Sequence, residues 1–240
     1  MTLILTMKRT ISLWTRLFDF IAPRACPVCD SRLGVTEEVL CGACNLSLPR
    51  TNYHSSLLDN ELARLFWGRM PVGKCIAFCY YNPQSPTSRL IYKLKYFDHP
   101  EIGEDLGRMM AGEYLSTGFF DDINLLLPVP LARKRIRQRG YNQSVEIARG
   151  IKTMTELPII ENAVRRKSFK GSQTQKDRWQ RNENVENDFE LIDAKVLENK
   201  HVLLIDDVIT TGATMTAFGR EVAKAKNVKI SIMALGFAKS

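Results

Sequence analysis

The chain has 240 residues, more than one average domain of about 100 to 200 residues and fewer than two, so one principal core with a small appendage is expected. Its 45% apolar and 25% charged residues are ordinary globular proportions, which excludes a fibre or a wholly disordered chain. The net charge is +8, and no apolar run approaches the roughly 18 residues needed to span a bilayer.

From Ile11 the apolar residues Trp14, Leu17, Phe18 and Ile21 recur at helical spacing, which predicts an amphipathic helix within residues 1–22. Lys8, Arg9, Arg16 and Asp19 interrupt the segment, and no small-residue cleavage site follows it, so it does not read as a signal peptide. A helix docked on its own protein and a cytoplasmic location are expected; membrane-surface or partner binding is the competing role.

Four of the six cysteines stand as Cys26-Pro-Val-Cys29 and Cys41-Gly-Ala-Cys44. Each C-x2-C knuckle turns two thiolates toward one point, and two knuckles supply a tetrahedral four-sulfur shell for zinc. Segment 23–50 is too short and too polar to bury a stable core, so an external staple is required, and structural zinc supplies on the order of 10 kcal/mol to such a piece. Because Cys26, Cys29, Cys41 and Cys44 fill all four positions, the metal is expected to be structural. A disulfide pair is the competing reading, disfavoured where thiols are kept reduced. In the connecting segment 51–82, Cys75 and Cys79 fall in Lys74-Cys-Ile-Ala-Phe-Cys-Tyr-Tyr81, a predicted buried strand, and read as core thiols. His54, His99 and His201 are isolated and read as surface or satisfied core residues.

Residues 83–240 alternate between helix and strand, which predicts an α/β domain with a mostly parallel sheet. Helical spacing marks Leu90, Ile91, Leu94 and Phe97, then Ile102, Leu106, Met109 and Met110. A buried strand at 123–127 runs into Pro128-Val-Pro130, and a helix follows near Tyr141 to Met154. Residues 159–192 show little apolar periodicity and read as a long loop, a functional lid or a disordered stretch. A strand at 201–205, a helix facing the core with Met215, Phe218, Val222 and Ala225, and a last strand within 228–237 complete the domain.

The excess positive charge is concentrated. Residues 133–139 (RKRIRQR) carry +5 and residues 165–184 another +5. Single-sign clusters repel themselves unless anions occupy them, which points to phosphates, pyrophosphate or nucleic acid.

The chemistry centres on Val202-Leu-Leu-Ile-Asp-Asp-Val-Ile-Thr-Thr-Gly-Ala-Thr214. The apolar run predicts a buried strand that delivers Asp206 and Asp207 to the C-terminal edge of the sheet, where open α/β sheets place ligands. Thr210, Thr211, Gly212, Ala213 and Thr214 then open a helix, so free backbone N–H groups, three hydroxyls and the positive end of the helix dipole form an anion cradle. Gly212 is expected to let the backbone approach a phosphate. Adjacent carboxylates beside a phosphate suit sugar hydroxyls, or magnesium through water.

These thirteen residues resemble the phosphoribosyl-pyrophosphate signature of the type I phosphoribosyltransferases. With the cysteine knuckles, Leu94-Lys95-Tyr96, Pro128-Val-Pro130, Arg139-Gly-Tyr-Asn-Gln143 and Gln175 with Arg178 and Asn182, the chain is similar to the ComF/GntX family over nearly all of residues 20–240. The resemblance implies a type I phosphoribosyltransferase-like parallel sheet flanked by helices, with a small N-terminal four-cysteine zinc module. It also implies that Asp206 and Asp207 contact the ribose hydroxyls and that the Thr210–Thr214 loop holds the 5′-phosphate of phosphoribosyl pyrophosphate, with Mg2+. Arg133, Arg137 and Arg139 are candidates for the diphosphate, with Asn142 and Gln143 adding neutral donors. Arg165, Arg166, Lys167 or Arg178 would reach the leaving group from a closing loop.

As an enzyme, the chain would displace pyrophosphate from C1 of phosphoribosyl pyrophosphate; the sequence shows no acceptor. Several relatives of this kind are linked to natural competence, which implies a role in DNA uptake. The competing reading is a non-catalytic accessory protein that holds single-stranded DNA on its basic surface, with Phe169 and Trp179 as stacking residues and a helicase docked on the zinc module. A sensor that binds the metabolite without turnover is a third.

Overall fold

The computed structural model describes residues 24–96, 99–167 and 188–239. The expected N-terminal helix, Phe169, Gln175, Arg178, Trp179 and Asn182 lie outside the described residues. The chain divides into two compact units, one ending at Ser47 and the other Leu48–Ser240.

The described part of the small unit contains both cysteine knuckles and one short helix, α1 (Gly42–Ser47). Val28, Leu33, Val39 and Leu40 are its buried aliphatic residues. A single carboxylate ties the turn between the knuckles to the second knuckle: Glu37 accepts from the N–H of Gly34 and of Gly42, each at 2.6 Å. Those two bonds hold its carboxyl below the ordinary range.

The large unit is built on a parallel sheet. Helix α2 (Glu61–Phe66) precedes β1 (Cys75–Tyr80), which is followed by α3 (Pro86–Tyr96), α4 (Pro100–Tyr114) and β2 (Leu125–Pro128). Then come α5 (Arg133–Arg139), α6 (Gln143–Thr155), the short strands β3 (Val164–Arg166) and β4 (Phe189–Leu191), β5 (His201–Ile209), α7 (Ala213–Val222) and β6 (Lys229–Phe237). The sheet order is β1-β6-β5-β2, with every neighbour parallel. In β6 all residues after Lys229 are buried, the mark of a strand covered on both faces.

Cys75 and Cys79 are fully buried in β1, as expected for core thiols, and burial pushes the Cys79 thiol up to about 11. Strand β1 is an edge of the main sheet and is therefore integral to the domain. Helices α4 and α6 approach backbone to backbone at Gly150, where a Cβ would collide with the Glu104 carbonyl. This crossing fixes where the start of α6 points.

Three elements differ from expectation. Strand β5 continues four residues past Ile205, because β6 runs beside it and pairs Asp206 with Ala234 and Ile209 with Phe237. Stretch 159–192, read as loop, contains the antiparallel pair β3–β4, whose Val164 and Phe189 are buried. The first basic cluster is itself a short helix, α5, with no buried residue.

At the opposite end of β5, His201 bonds Asp122 through Nδ1 at 3.0 Å and Ser231 through Nε2 at 2.8 Å. The Ser–His–Asp order imitates a nucleophilic triad, but Ser231 is 0% exposed and meets no substrate. The group clamps β5 to β6 and to the turn before β2, and burial lowers the pKa of His201.

Candidate functional site

Strand β2 ends at Pro128, paired with Ile205, and the last bond on that side runs from Val129 N–H to the Ile205 carbonyl at 2.9 Å. Beyond it, among the described residues, β5 pairs only with β6, so Asp206 and Asp207 stand at an open step in the sheet. The start of α6 faces this step. Asn142 caps that helix by accepting from Ser144 N–H at 3.1 Å and donates its own amide to the Val129 carbonyl at 3.0 Å. Ser144 then donates its hydroxyl to Asp206 Oδ1 at 3.2 Å, and Asp207 N–H reaches the same oxygen at 2.9 Å.

Lys95, in the last turn of α3, places its ammonium 2.9 Å from Asp207 Oδ2. The turn of α3 that carries it is pinned by the Tyr141 hydroxyl, which donates to the Leu94 carbonyl at 2.6 Å. Burial, and then the charge of Asp207, pushes the Asp206 carboxyl up to about 7; the Ser144 hydroxyl and Lys95 oppose the rise.

These groups enclose a hollow of about 170 Å3 lined by Lys95, Arg135, Arg139, Arg166, Asp206 and Asp207, with Thr214 at its side. Arg139 is held by Gln143 Oε1 at 2.8 Å, and Arg166 by Asp188 at 2.8 Å. The hollow thus presents fixed cations to an anion and carboxylates to donors such as hydroxyls. It lies beside the turn at the start of α7, where Gly212 has φ 74° and Thr210 and Thr211 are exposed.

Of the residues singled out from sequence, Asp206, Asp207, Thr214, Arg139, Asn142, Gln143 and Arg166 line the hollow. Arg133 and Arg137 are exposed on α5 and do not line it; Arg135, one helical turn before Arg139, does. Arg165 is exposed and pairs with Glu190 at 2.7 Å. Gly212 also packs closely against α2: a Cβ there would lie 2.9 Å from Leu65 Cδ2 and 3.1 Å from Phe66, so the glycine accommodates that helix as well as the positive φ. Arg69, just after α2, braces the turn by donating to the Thr211 carbonyl at 3.0 Å. Sequence reasoning does not assign site roles to Lys95, Ser144 or Arg135. The Leu94-Lys95-Tyr96 triplet carries the one available signal, a basic residue at the end of an amphipathic helix.

In the small unit the Sγ atoms of Cys26, Cys29, Cys41 and Cys44 all lie within 4.8 Å of one another, and Cys29 and Cys41 are 3.6 Å apart. Zinc–sulfur bonds of about 2.3 Å in a tetrahedron require sulfurs about 3.8 Å apart. The cluster fits a four-thiolate metal site such as zinc.

A family model for the phosphoribosyl transferase domain matches residues 113–239, a stretch that contains α6, the acid pair and the turn. The chain belongs to the phosphoribosyl transferase domain family. Among curated relatives it is 29% identical over 193 residues to DNA utilization protein YhgH of Escherichia coli O6:H1, covering 79% of this chain and 80% of that protein. It is 28% identical over 228 residues to competence protein F of Haemophilus influenzae, covering 89% of this chain and 96% of the relative. The solved structure of glutamine phosphoribosylpyrophosphate amidotransferase from B. subtilis superposes with a TM-score of 0.40 at 18% identity, over 59% of this chain and 30% of that one. At that score the likeness adds nothing to the family assignment. The parallel sheet with flanking helices and the N-terminal cysteine cluster are the architecture expected from sequence. Among the described residues no helix is long and apolar enough to cross a membrane.

Proposed function

We propose that the hollow binds phosphoribosyl pyrophosphate or a closely related phosphorylated pentose, and that the chain serves DNA uptake or utilisation. The observation that carries the binding reading is the acid pair at the open step of β5, set between the start of α6, the α7 turn and the arginines. In this reading Asp206 and Asp207 accept from the sugar hydroxyls and the Thr210–Thr214 turn takes the 5′-phosphate. Arg135, Arg139 and Arg166 face the diphosphate. Magnesium carried in with the diphosphate would supply further neutralisation of its negative charge. The names carried by the E. coli and H. influenzae relatives support the DNA role. The four thiolates hold structural zinc.

Calorimetric titration with phosphoribosyl pyrophosphate, with and without magnesium, tests this. Saturable binding is expected in the native chain and none in the Asp206→Asn, Asp207→Asn double variant. Pyrophosphate release against a panel of bases then separates an enzyme from a binding protein.

A second reading, single-stranded DNA on the basic surface, is favoured by a different observation. Arg133, Lys134 and Arg137 are exposed, and the exposed rings of Tyr92 and Tyr96 lie 4.9 Å apart on α3. The Arg139 guanidinium sits 5.3 Å from the Tyr96 ring, beside an outer cavity of about 490 Å3 lined by Tyr96, Arg135, Gln138 and Arg139. Under this reading Tyr96→Ala weakens oligonucleotide binding by roughly tenfold, because a base can no longer stack on the ring. Arg133→Gln with Arg137→Gln lowers the slope of log affinity on log salt by about 0.7 for each phosphate that is no longer neutralised. Affinity for phosphoribosyl pyrophosphate stays unchanged in the double arginine variant, because neither residue lines the hollow.

A further inference from the structure

We propose that Lys95 is a resident counter-ion of the acid pair: it positions Asp207 and sets how far the site depends on a divalent cation. The proposal rests on the reading of the hollow as a sugar-phosphate site and concerns the charge balance within it.

Two neighbouring carboxylates in one strand repel each other, and their bonding partners divide unequally. Asp206 is met by neutral donors, the Ser144 hydroxyl and a backbone N–H. Asp207 takes Val208 N–H on Oδ1 at 2.6 Å and the Lys95 ammonium on Oδ2 at 2.9 Å. Among the described residues Lys95 is the cation that forms an ion pair with this acid couple. The pair is sheltered, with side chains 22% and 14% exposed, so solvent screens it less than a surface bridge.

The lysine is held in place by the fold. Leu90, Ile91 and Leu94 bury one face of α3, and Tyr141 fastens its final turn. The other cations around the hollow are committed elsewhere, Arg139 to Gln143 and Arg166 to Asp188, while Arg135 belongs to the exposed α5. Lys95 lies outside residues 113–239, so the matched family domain supplies the acids and the segment before it supplies their counter-ion.

The residues present fit a divalent cation in donor chemistry, since two carboxylates face a polar hollow. A metal that approached Asp207 would have to displace an ammonium already hydrogen-bonded there. The native pair should therefore take a free metal ion weakly, and removal of the ammonium should expose a site that takes it well. An opposite charge at this range shifts a carboxylate equilibrium by one or more log units, so a change of about tenfold or larger is expected.

The zinc-loaded full chain is titrated with Mn2+ alone, and free Mn2+ is read by electron paramagnetic resonance. Lys95→Met should bind Mn2+ at least about tenfold more tightly than the native chain. Lys95→Arg should behave as native, and adding Asp207→Asn to Lys95→Met should erase the gain. Lys95→Gln makes the same comparison if the methionine variant does not fold. Calorimetry with phosphoribosyl pyrophosphate should then show a larger ratio of affinities with and without magnesium in Lys95→Met than in the native chain. Equal Mn2+ affinity in native and Lys95→Met chains, or a gain that survives Asp207→Asn, overturns the proposal. A native chain that fails to bind phosphoribosyl pyrophosphate while the Mn2+ pattern holds defeats the ligand assignment and leaves the role of Lys95 standing.

Discussion

Asp206→Asn is expected to abolish binding of phosphoribosyl pyrophosphate, a loss of at least about 100-fold, and at the same time to stabilise the fold above neutral pH. The two effects share one cause. Burial, and then the charge of Asp207, raises the Asp206 carboxyl from 3.8 to about 7. Between those values the folded chain keeps a proton that the unfolded chain has released, so stability falls as pH rises from about 4 to about 7 and then levels off. At pH 8 the folded state carries the full penalty of an ionised, sheltered acid. Asparagine preserves an oxygen for Ser144 and for Asp207 N–H without that charge. Urea unfolding should show the variant more stable by on the order of 2 kcal/mol at pH 8, with the gap closing near pH 4. The native chain should bind its ligand more tightly as pH rises from 6 to 8, because the carboxylate accepts from the sugar hydroxyls. A stability gap independent of pH would show that Asp206 is ionised throughout and that burial does not perturb it.

The parts of this site legible in the sequence are those that are contiguous. One run of residues, Val202 to Thr214, contains strand, acids and turn, and its apolar start fixes the acids at the C-terminal edge of a parallel sheet. The cysteine spacing is legible for the same reason: two knuckles determine the liganding shell locally. What is not legible depends on tertiary placement. Ser144 and Lys95 reach the acid pair from α6 and α3, and the Gly150 crossing and the Tyr141 anchor that bring them there leave no local pattern. Arg135 cannot be preferred over Arg133 or Arg137, because the sequence of α5 has no apolar stripe to fix its rotation. Strand β5 outruns its apolar run because its continuation is set by the backbone of β6, and β3 and β4 are too short for a two-residue alternation to register. The packing reason for Gly212 is not legible either, because the side chains of α2 that press on it are far away in sequence.

Removal of zinc is expected to unfold the small unit while the sheet domain keeps its structure. The described small unit buries only four aliphatic side chains, Val28, Leu33, Val39 and Leu40, each contributing about 1.5–3 kcal/mol. Ordering two dozen residues costs far more, at about 1–2 kcal/mol of backbone entropy per residue, so the staple decides whether the unit folds. Four thiolates around zinc supply on the order of 10 kcal/mol, and Cys26→Ser removes a buried ligand from that shell. The Glu37 bonds to Gly34 and Gly42 tie the turn between the knuckles to the second knuckle and should fail together with the metal. Hydrogen exchange should therefore show amide protection lost across residues 26–44 in Cys26→Ser, or after chelation, and retained in β5 and β6, whose partners lie wholly within Leu48–Ser240. Zinc content should drop from one per chain to none in the variant. A disulfide-stapled unit behaves oppositely: chelation leaves its protection intact and reductant removes it, which makes the two reagents a direct discriminator between the two staples.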